Sequence, residues 1–306
     1  FTDVIRRNSH YNSGVKGAIF LNGRFSERGL TMLTDFYELT MANGYLLGGF
    51  KDTICYFDMF FRKVPDNGGF AIMAGVEQLV EYLSSLRFTE EDIAYLEGRK
   101  IFSPEFLEYL RNFRFTCDVW AIPEGTPIFP GEPIVTVRGP VIQTQFVETM
   151  VLLCINHQSL IATKSNRIAR AAQGRAVMEF GSRRAQGFDG AVYGARAAYI
   201  GGCAGTACTV SDQLFGVPAL GTMAHSWVNS EYEAFKAYAE AYPSNCMLLV
   251  DTYNVLKSGV PNAIKVFNEV LVPNGYRPAG IRIDSGDITY LSRKARKLLD
   301  DAGFED

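Results

Sequence analysis

The chain of 306 residues contains only three histidines, two tryptophans and six cysteines. No two cysteines are spaced as CxxC, and no Cys/His grouping has zinc-ligand spacing, so a structural zinc module is excluded. The GxxxxGK[ST] phosphate loop is absent, and no GxGxxG follows a predicted strand. Because disulfides are uncommon in large chains outside secreted proteins, we expect reduced cysteines and a cytoplasmic protein.

Long apolar runs and a strong charge of one sign are also missing. The longest apolar run covers residues 150–155, far short of the roughly 20 residues that span a bilayer, so we expect no membrane protein. The net charge of −3 provides no overall field that would attract nucleic acid or an acidic membrane. Any phosphate binding must therefore depend on a few arginines. With 47% hydrophobic residues the chain can bury a core, which excludes general disorder.

The first part of the chain predicts a polar arm and then an α+β domain. Residues 1–32 are polar, contain glycine and show no sustained period, so we interpret them as an arm. Residues 33–140 combine a helical pattern from Leu33, a strand over 53–64 and short strands interrupted by Pro and Gly. Two helices within them have capping signals, namely Thr89 and the pair Ser103-Pro104.

Residues 141–306 predict an α/β domain. A long helix without Gly or Pro covers 141–172. Short apolar runs then end in polar clusters, each followed by a helix: AVMEF before GSRRAQG, ALGTMA before HS, MLLV before DTYN, and GIRI before DSGD. This alternation is typical of a parallel sheet, whose active site lies at the carboxyl ends of the strands. A closed barrel needs eight such units, so earlier segments supply the rest or the chain holds part of a barrel.

Basic and hydroxyl residues in two of these clusters could bind anions. Arg183 and Arg184 follow a predicted strand, where guanidinium groups suit phosphate or carboxylate; the alternative is a pair of surface salt bridges. His225 lies near Thr222, whose hydroxyl could hold phosphate oxygens. A lone histidine is nevertheless more often structural than catalytic.

The acidic clusters have two interpretations as well. Asp284 and its neighbours Ser285 and Asp287 could accept hydrogen bonds from ribose hydroxyls or hold Mg²⁺ through water. Alternatively, Asp287 simply N-caps the next helix. Asp251 in LLVDTYN has the same ambiguity. The small residues at 199–209 favour close helix packing over a phosphate loop.

Five clusters occur in order: TDFYELT, EFGSRRAQG, GTMAHSWV, LLVDTYN and IRIDSGD. Together they resemble the nicotinate phosphoribosyltransferase family, from about residue 33 onward. The resemblance implies an N-terminal α+β domain followed by an irregular (β/α) barrel of phosphoribosyltransferase type. It implies that nicotinate and 5-phosphoribosyl 1-diphosphate give nicotinate mononucleotide and diphosphate, in NAD biosynthesis. It also implies coupled ATP hydrolysis through a phosphorylated histidine.

Residue roles follow from the same resemblance. His225 would be the phosphorylated histidine. Tyr37 would stack on the pyridine ring from a partner subunit, which implies a homodimer, and Phe180 would lie against the other ring face. Arg183 and Arg282 would bind the nicotinate carboxylate and the diphosphate. The sequence does not show which arginine binds which anion.

The remaining implied roles concern the sugar and the metal. Thr222 would contact nicotinate, and Asp284 would contact the ribose or, indirectly, Mg²⁺. Mg²⁺ and ATP are thus the implied cofactors. Further candidates for the site are Arg184, Asp251, Ser285 and Asp287.

Family members also continue beyond the point matched by residue 306, with a glycine-rich loop for the ribose 5-phosphate. We therefore expect residues 1–306 alone not to turn over nicotinate at an appreciable rate. The alternative to an enzyme is a non-catalytic fragment or regulatory subunit of the same fold. An unrelated barrel enzyme acting on a phosphorylated sugar is a third possibility, which the five ordered clusters disfavour.

Overall fold

The structure, a computed structural model, describes residues 28–305. The chain divides into two compact units, the first ending at Leu220 and the second beginning at Gly221. The predicted division at residue 140 falls inside the first unit. There β5 (Val135–Pro140) runs directly into α5 (Val141–Phe146) without a linker.

The predicted arm over residues 1–32 lies largely outside the described residues. Its described end is not a loose arm. Leu30–Met32 form a 3-10 turn, and Thr31 is buried. The Thr31 hydroxyl donates to the carbonyl of Arg87 at 2.6 Å. Because a buried hydroxyl needs such a partner, these residues belong to the packed first unit.

Short strands form antiparallel sheets in the first half of the first unit. The strands other than β5 are β1 (Ile54–Met59), β2 (Ala71–Ile72), β3 (Asp118–Ala121) and β4 (Pro127–Ile128). β5 lies between β1 and β3, and β2 pairs with β4. The strand predicted over 53–64 is shorter than expected, because its partner β5 begins at Val135, directly opposite Met59.

Helices pack against these sheets and make up nearly half of the described residues of the first unit. They are α1 (Phe36–Leu47), α2 (Val76–Ser85), α3 (Glu90–Gly98), α4 (Pro104–Arg111), α6 (Glu148–Ala171), α7 (Gly187–Ile200) and α8 (Thr209–Phe215). Both predicted caps are present. The Thr89 hydroxyl accepts from Asp92 N in a capping box, and the Ser103 hydroxyl accepts from Phe106 N before Pro104.

The long helix predicted over 141–172 is present as α5 and α6, interrupted at Val147. By length and composition alone, Val141–Ala171 is apolar enough to cross a membrane. However, 56% of its apolar window is buried inside the protein, and α6 packs against β2, α2 and α7. These contacts are those of a core helix.

Two glycines allow close approach to α6. Gly75 has φ +101°, and an added Cβ would lie 2.3 Å from the carbonyl oxygen of Cys154. At Gly201, after α7, an added Cβ would lie 2.4 Å from the carbonyl oxygen of Ala162. The close helix packing predicted for the small residues at 199–209 is therefore confirmed at Gly201.

After α6 the first unit contains two short parallel strands, β6 (Met178–Glu179) and β7 (Gly205–Thr206). The predicted strand in ALGTMA is wrong. Only Ala219 forms a bridge, to Thr206, and the following residues are not a strand. Leu220 is exposed and Gly221 follows at once, so the run has no buried face that would favour a strand.

The second unit contains another parallel pair, β8 (Met247–Leu249) and β9 (Gly280–Arg282), as the sequence predicted. Its helices are α9 (Glu231–Ala241), α10 (Val260–Val266), which π-helical turns extend at both ends, and α11 (Ile288–Asp301). Phe235, Leu248, Val250 and Phe267 are buried in its core. Leu248 anchors β8 in this core, and Ile281 of β9 packs against it, so the loops at the carboxyl ends of both strands are held in place.

Candidate active site

The loops at the carboxyl ends of β8 and β9 carry two of the predicted acidic residues. Leu249 lies opposite Arg282 in the parallel register, so Asp251 and Asp284 follow at the same edge. The Asp251 side chain is only 2% exposed. Its Oδ2 accepts hydrogen bonds from Asp284 N at 3.0 Å and Ser285 Oγ at 2.6 Å. Asp251 therefore holds the loop that follows β9.

His225 lies beside both carboxylates. Its Nε2 is 3.5 Å from Asp284 Oδ2 and 4.0 Å from Asp251 Oδ1. Its Nδ1 is 3.0 Å from the Thr252 hydroxyl oxygen. Because ionised carboxylates only accept hydrogen bonds, this arrangement favours a proton on Nε2 and leaves the Nδ1 lone pair to accept from Thr252. With a side chain that is 43% exposed, the ring is open to a reactant.

Arg282, the last residue of β9, joins the same cluster. Its Nη1 donates to Thr222 Oγ1 at 2.5 Å, and its Nη2 is 3.7 Å from Asp284 Oδ2. The Nε atom is buried and has no hydrogen-bond partner within residues 28–305. Leaving a buried N–H unpaired costs free energy, so an anion that reaches this N–H would be stabilised.

In the first unit, the loop after β6 carries Phe180, Arg183 and Arg184. Both arginines lie in a 3-10 turn, Ser182–Arg184, and are exposed. Neither guanidinium forms an ion pair with another of residues 28–305. Phe180 is also exposed. The loop thus presents one aromatic ring and two cationic groups.

Tyr37 lies on α1 with its hydroxyl fixed. That hydroxyl donates to Glu148 Oε1 at 3.0 Å, and Gln145 donates to the other Glu148 oxygen at 2.7 Å. Partial burial, together with the hydrogen bond to Glu148 and its negative charge, raises the pKa of Tyr37 to about 12. The phenol is therefore protonated at neutral pH. Tyr37 as a whole is 44% exposed, so a partner can reach it.

The structure also tests whether its residues suit the implied Mg²⁺. Among residues 28–305 no three His, Cys, Asp or Glu side chains are grouped to hold a metal by themselves. Mg²⁺ is commonly bound by one or two carboxylates plus water and substrate phosphates. Asp251 Oδ1 is buried without a hydrogen-bond partner among the described residues, and the exposed Asp284 lies beside it. This pair fits that binding mode.

The second unit brings together a set of predicted site residues: Thr222, His225, Asp251, Arg282, Asp284 and Ser285. Asp287 instead caps α11, where its Oδ1 accepts from Tyr290 N at 2.9 Å. Sequence reasoning missed Thr252, although it lies next to Asp251 in a strand-end cluster. It also missed Glu148, which is 111 positions from Tyr37 and shares no local pattern with it.

Comparison with known proteins shows what the chain is similar to. Residues 32–156 match the N-terminal domain defined for nicotinate phosphoribosyltransferase (NAPRTase). The chain is 44% identical to the nicotinate phosphoribosyltransferase of Bacillus subtilis strain 168, across 92% of this chain and 58% of that protein. The chain is a homologue of the nicotinate phosphoribosyltransferases. A second such enzyme, from Mycobacterium tuberculosis, is 46% identical across 90% of this chain and 59% of its own length.

A solved structure of the family supports the fold. The crystal structure of human nicotinic acid phosphoribosyltransferase matches with a TM-score of 0.80 and 33% identity, covering 88% of this chain and 64% of the human chain. The predicted fold class, an irregular (β/α) barrel of phosphoribosyltransferase type with an N-terminal α+β domain, is confirmed. The chain spans less than two thirds of the length of each of these relatives.

Proposed function

We propose that this protein is a nicotinate phosphoribosyltransferase. It would join nicotinate to 5-phosphoribosyl 1-diphosphate, releasing nicotinate mononucleotide and diphosphate, and hydrolyse ATP to ADP and phosphate in the same cycle. The observation that carries the proposal is the position of His225 between Thr252 and two carboxylates, beside Arg282, at the ends of adjacent parallel strands. The named relatives support it.

His225 would be the phosphoryl acceptor. Its Nδ1 lone pair would attack the ATP γ-phosphorus, forming an N–P bond as the P–O bond to ADP breaks. Positive charge would develop on the ring, and the carboxylates of Asp284 and Asp251 face its Nε2–H. Carboxylates in that position stabilise an imidazolium and fix the tautomer, as an aspartate does for a catalytic histidine. Thr252 would hold Nδ1 until the phosphate displaces its hydroxyl.

The arginines would bind the anionic parts of the substrates. Arg282 and Arg183 would take the nicotinate carboxylate and the diphosphate, with Arg184 as a further cation for these anions. Their fixed positive charges would stabilise the charge that grows on diphosphate as the C1–O bond breaks. Phe180 would contact one face of the pyridine ring, and Thr222 would contact nicotinate beside Arg282.

The acidic side would bind ribose and metal. Asp284, with Asp251 behind it, would hold Mg²⁺, which supplies charge neutralisation for the diphosphate group. Asp284 and Ser285 could also accept hydrogen bonds from the ribose hydroxyls. Asp287 caps α11 but lies in the same loop, and it would contribute weakly to the binding of ribose and metal.

We also propose a cytoplasmic homodimer in which Tyr37 reaches the active site of the partner. All six cysteines are free thiols, which suits a reducing compartment. The exposed Tyr37 ring, whose hydroxyl is held by Glu148, supports a role in stacking.

Phosphorylation of His225 tests the proposal directly. Full-length protein incubated with γ-labelled ATP should gain acid-labile label, and His225→Ala should lose it entirely. Thr252→Val keeps the imidazole and removes only its hydroxyl partner, so it should label several-fold more slowly but still label. Normal labelling of His225→Ala would refute the phosphohistidine role.

A mixing experiment tests the shared site. Tyr37→Ala and Arg183→Ala are each expected to be nearly inactive alone. A heterodimer of the two carries one site with both changes and one site with neither, so activity should partly return. Tyr37→Ala mixed with itself is the control. Purified heterodimers without any recovered activity would count against a site built from two subunits.

A further inference from the structure

The end of β6 carries a carboxylate whose two oxygens are both engaged. Glu179 lies opposite Thr206 in the parallel pair of β6 and β7. Its Oε2 accepts from the Thr206 hydroxyl at 2.6 Å, and its Oε1 accepts from the backbone N–H of Gly181. The carboxylate therefore connects the neighbouring strand to the loop that follows its own strand, across Phe180.

Thr206, the residue on β7 that binds the Glu179 carboxylate, is itself held in place by several contacts. Thr206 is fully buried. Its hydroxyl accepts from Cys208 N at 2.9 Å, which leaves its proton directed at Glu179. Its backbone N–H also donates to the carbonyl of Pro218 at 2.9 Å. A charge-assisted hydrogen bond to so fixed a donor orients the carboxylate strongly.

The glycine at position 181 fits the same contact. Its backbone has φ −91° and ψ −4°, which any residue adopts, so conformation does not require glycine there. The lack of room for a side chain does require glycine, because an added Cβ would lie 2.7 Å from Glu179 Oε1. The carboxylate could swing away from a methyl group, but only by giving up the hydrogen bonds that hold it.

We propose that Glu179 is a positioning residue for nicotinate binding. It fixes the peptide between Phe180 and Gly181, and so sets the direction of the Phe180 ring and the start of the turn that carries Arg183. This inference rests on the proposed function, in which Phe180 and Arg183 contact substrate. Glu179 itself touches no reacting atom, so its loss acts through the loop.

Kinetics of the full-length protein test the substrate side. Glu179→Ala should raise the KM for nicotinate about tenfold or more, since a hydrogen bond to a charged group is lost. The ATP labelling of His225, which this loop does not carry, should change by less than about twofold. Thr206→Ser keeps the hydroxyl and should behave as wild type, whereas Thr206→Val should raise the same KM. A nicotinate KM that is unchanged in Glu179→Ala would overturn the proposal.

A coupling experiment tests the mechanism without relying on one variant that could fold poorly. Gly181→Ala should raise the nicotinate KM several-fold when Glu179 is present. In the Glu179→Ala background the same change should have no further effect, because the group that the methyl displaces is gone. Equal effects in both backgrounds would refute the coupling.

Trypsin separates failure of this inference from failure of the proposed function. Glu179→Ala should speed cleavage after Arg183 and Arg184 several-fold relative to cleavage after Arg111, which lies at the end of α4. That result would support the loop anchor even in a protein with no nicotinate turnover. If the relative cleavage is unchanged, Glu179 does not hold this loop, even if the enzyme is active.

Discussion

Glu38, on α1, is a buried carboxyl whose titration should control the stability of the first unit. Its side chain is fully buried. Its Oε1 accepts from the Thr149 hydroxyl at 2.8 Å and from Thr149 N at 3.3 Å, and its Oε2 accepts from the Thr34 hydroxyl. Burial, reinforced by the charge of Glu148, raises the pKa of Glu38 from 4.5 to about 7, although the Thr149 hydrogen bonds oppose the rise.

The sign and size of the effect follow from linkage. Between pH 4.5 and 7 the folded state holds a proton on Glu38 that the unfolded state has released. The contribution of Glu38 to the free energy of unfolding is therefore fully present below pH 4.5 and is lost as pH rises to about 7. A pKa change of this size corresponds to about 3 kcal/mol in the free energy of unfolding.

Glu38→Gln should remove this pH dependence. The amide oxygen can still accept from the hydroxyl and the N–H of Thr149, and the amide N–H can donate to the Thr34 hydroxyl, so the hydrogen bonds to both threonines are replaced. The variant should match wild type near pH 4.5 and exceed it by up to about 3 kcal/mol near pH 8. Glu97→Gln removes the same charge from an exposed position and is the control, with no such divergence expected.

Urea unfolding at a series of pH values provides the assay. The chain has two tryptophans, and Trp120 on β3 lies in the same unit as Glu38. A Trp227→Phe background makes Trp120 the only tryptophan, so its fluorescence reports unfolding of that unit. If the curves for Glu38→Gln and its parent run parallel from pH 4.5 to 8, the reasoning about Glu38 is wrong.

Two further changes test the packing of the first unit. Gly75→Ala places a methyl against the Cys154 carbonyl at φ +101°, so it should lower the free energy of unfolding by about 3 kcal/mol, whereas Gly98→Ala, with open space around it, should cost nothing in urea titrations. Arg196→Met removes a bidentate partner of Glu124, at 2.9 and 2.6 Å, and should cost about 3–5 kcal/mol because a carboxylate is left without its cation. Arg196→Lys should recover part of that loss, and equal stability of the two Arg196 variants would contradict the charge argument.

Features that depend on near neighbours were predictable from the sequence. The caps at Thr89 and Ser103 join residues three positions apart, so the pattern of residue types is sufficient. The apolar runs of β8 and β9, followed directly by Asp251 and Asp284, likewise predicted where acidic groups would collect. Parallel strands share one carboxyl edge, so that inference needed no knowledge of packing.

The ALGTMA segment shows where such patterns fail. Its apolar residues suggested a strand, but a strand exists only where another strand supplies hydrogen bonds, and within this segment only Ala219 forms a bridge, to Thr206. The pairing partner of a segment is a property of the whole fold. Sequence pattern therefore identified the candidate segment and could not decide its conformation.

The tertiary structure alone decided how the site residues are held. Sequence placed Tyr37 and His225 in candidate roles, but Glu148 contacts Tyr37 across 111 positions, and Thr252 contacts His225 across 27. The choice of Nδ1 as the available nitrogen depends on which side of the ring the carboxylates occupy. These contacts arise because packing brings distant segments within hydrogen-bond distance, and a hydrogen bond needs an accuracy of tenths of an ångström that no local pattern encodes.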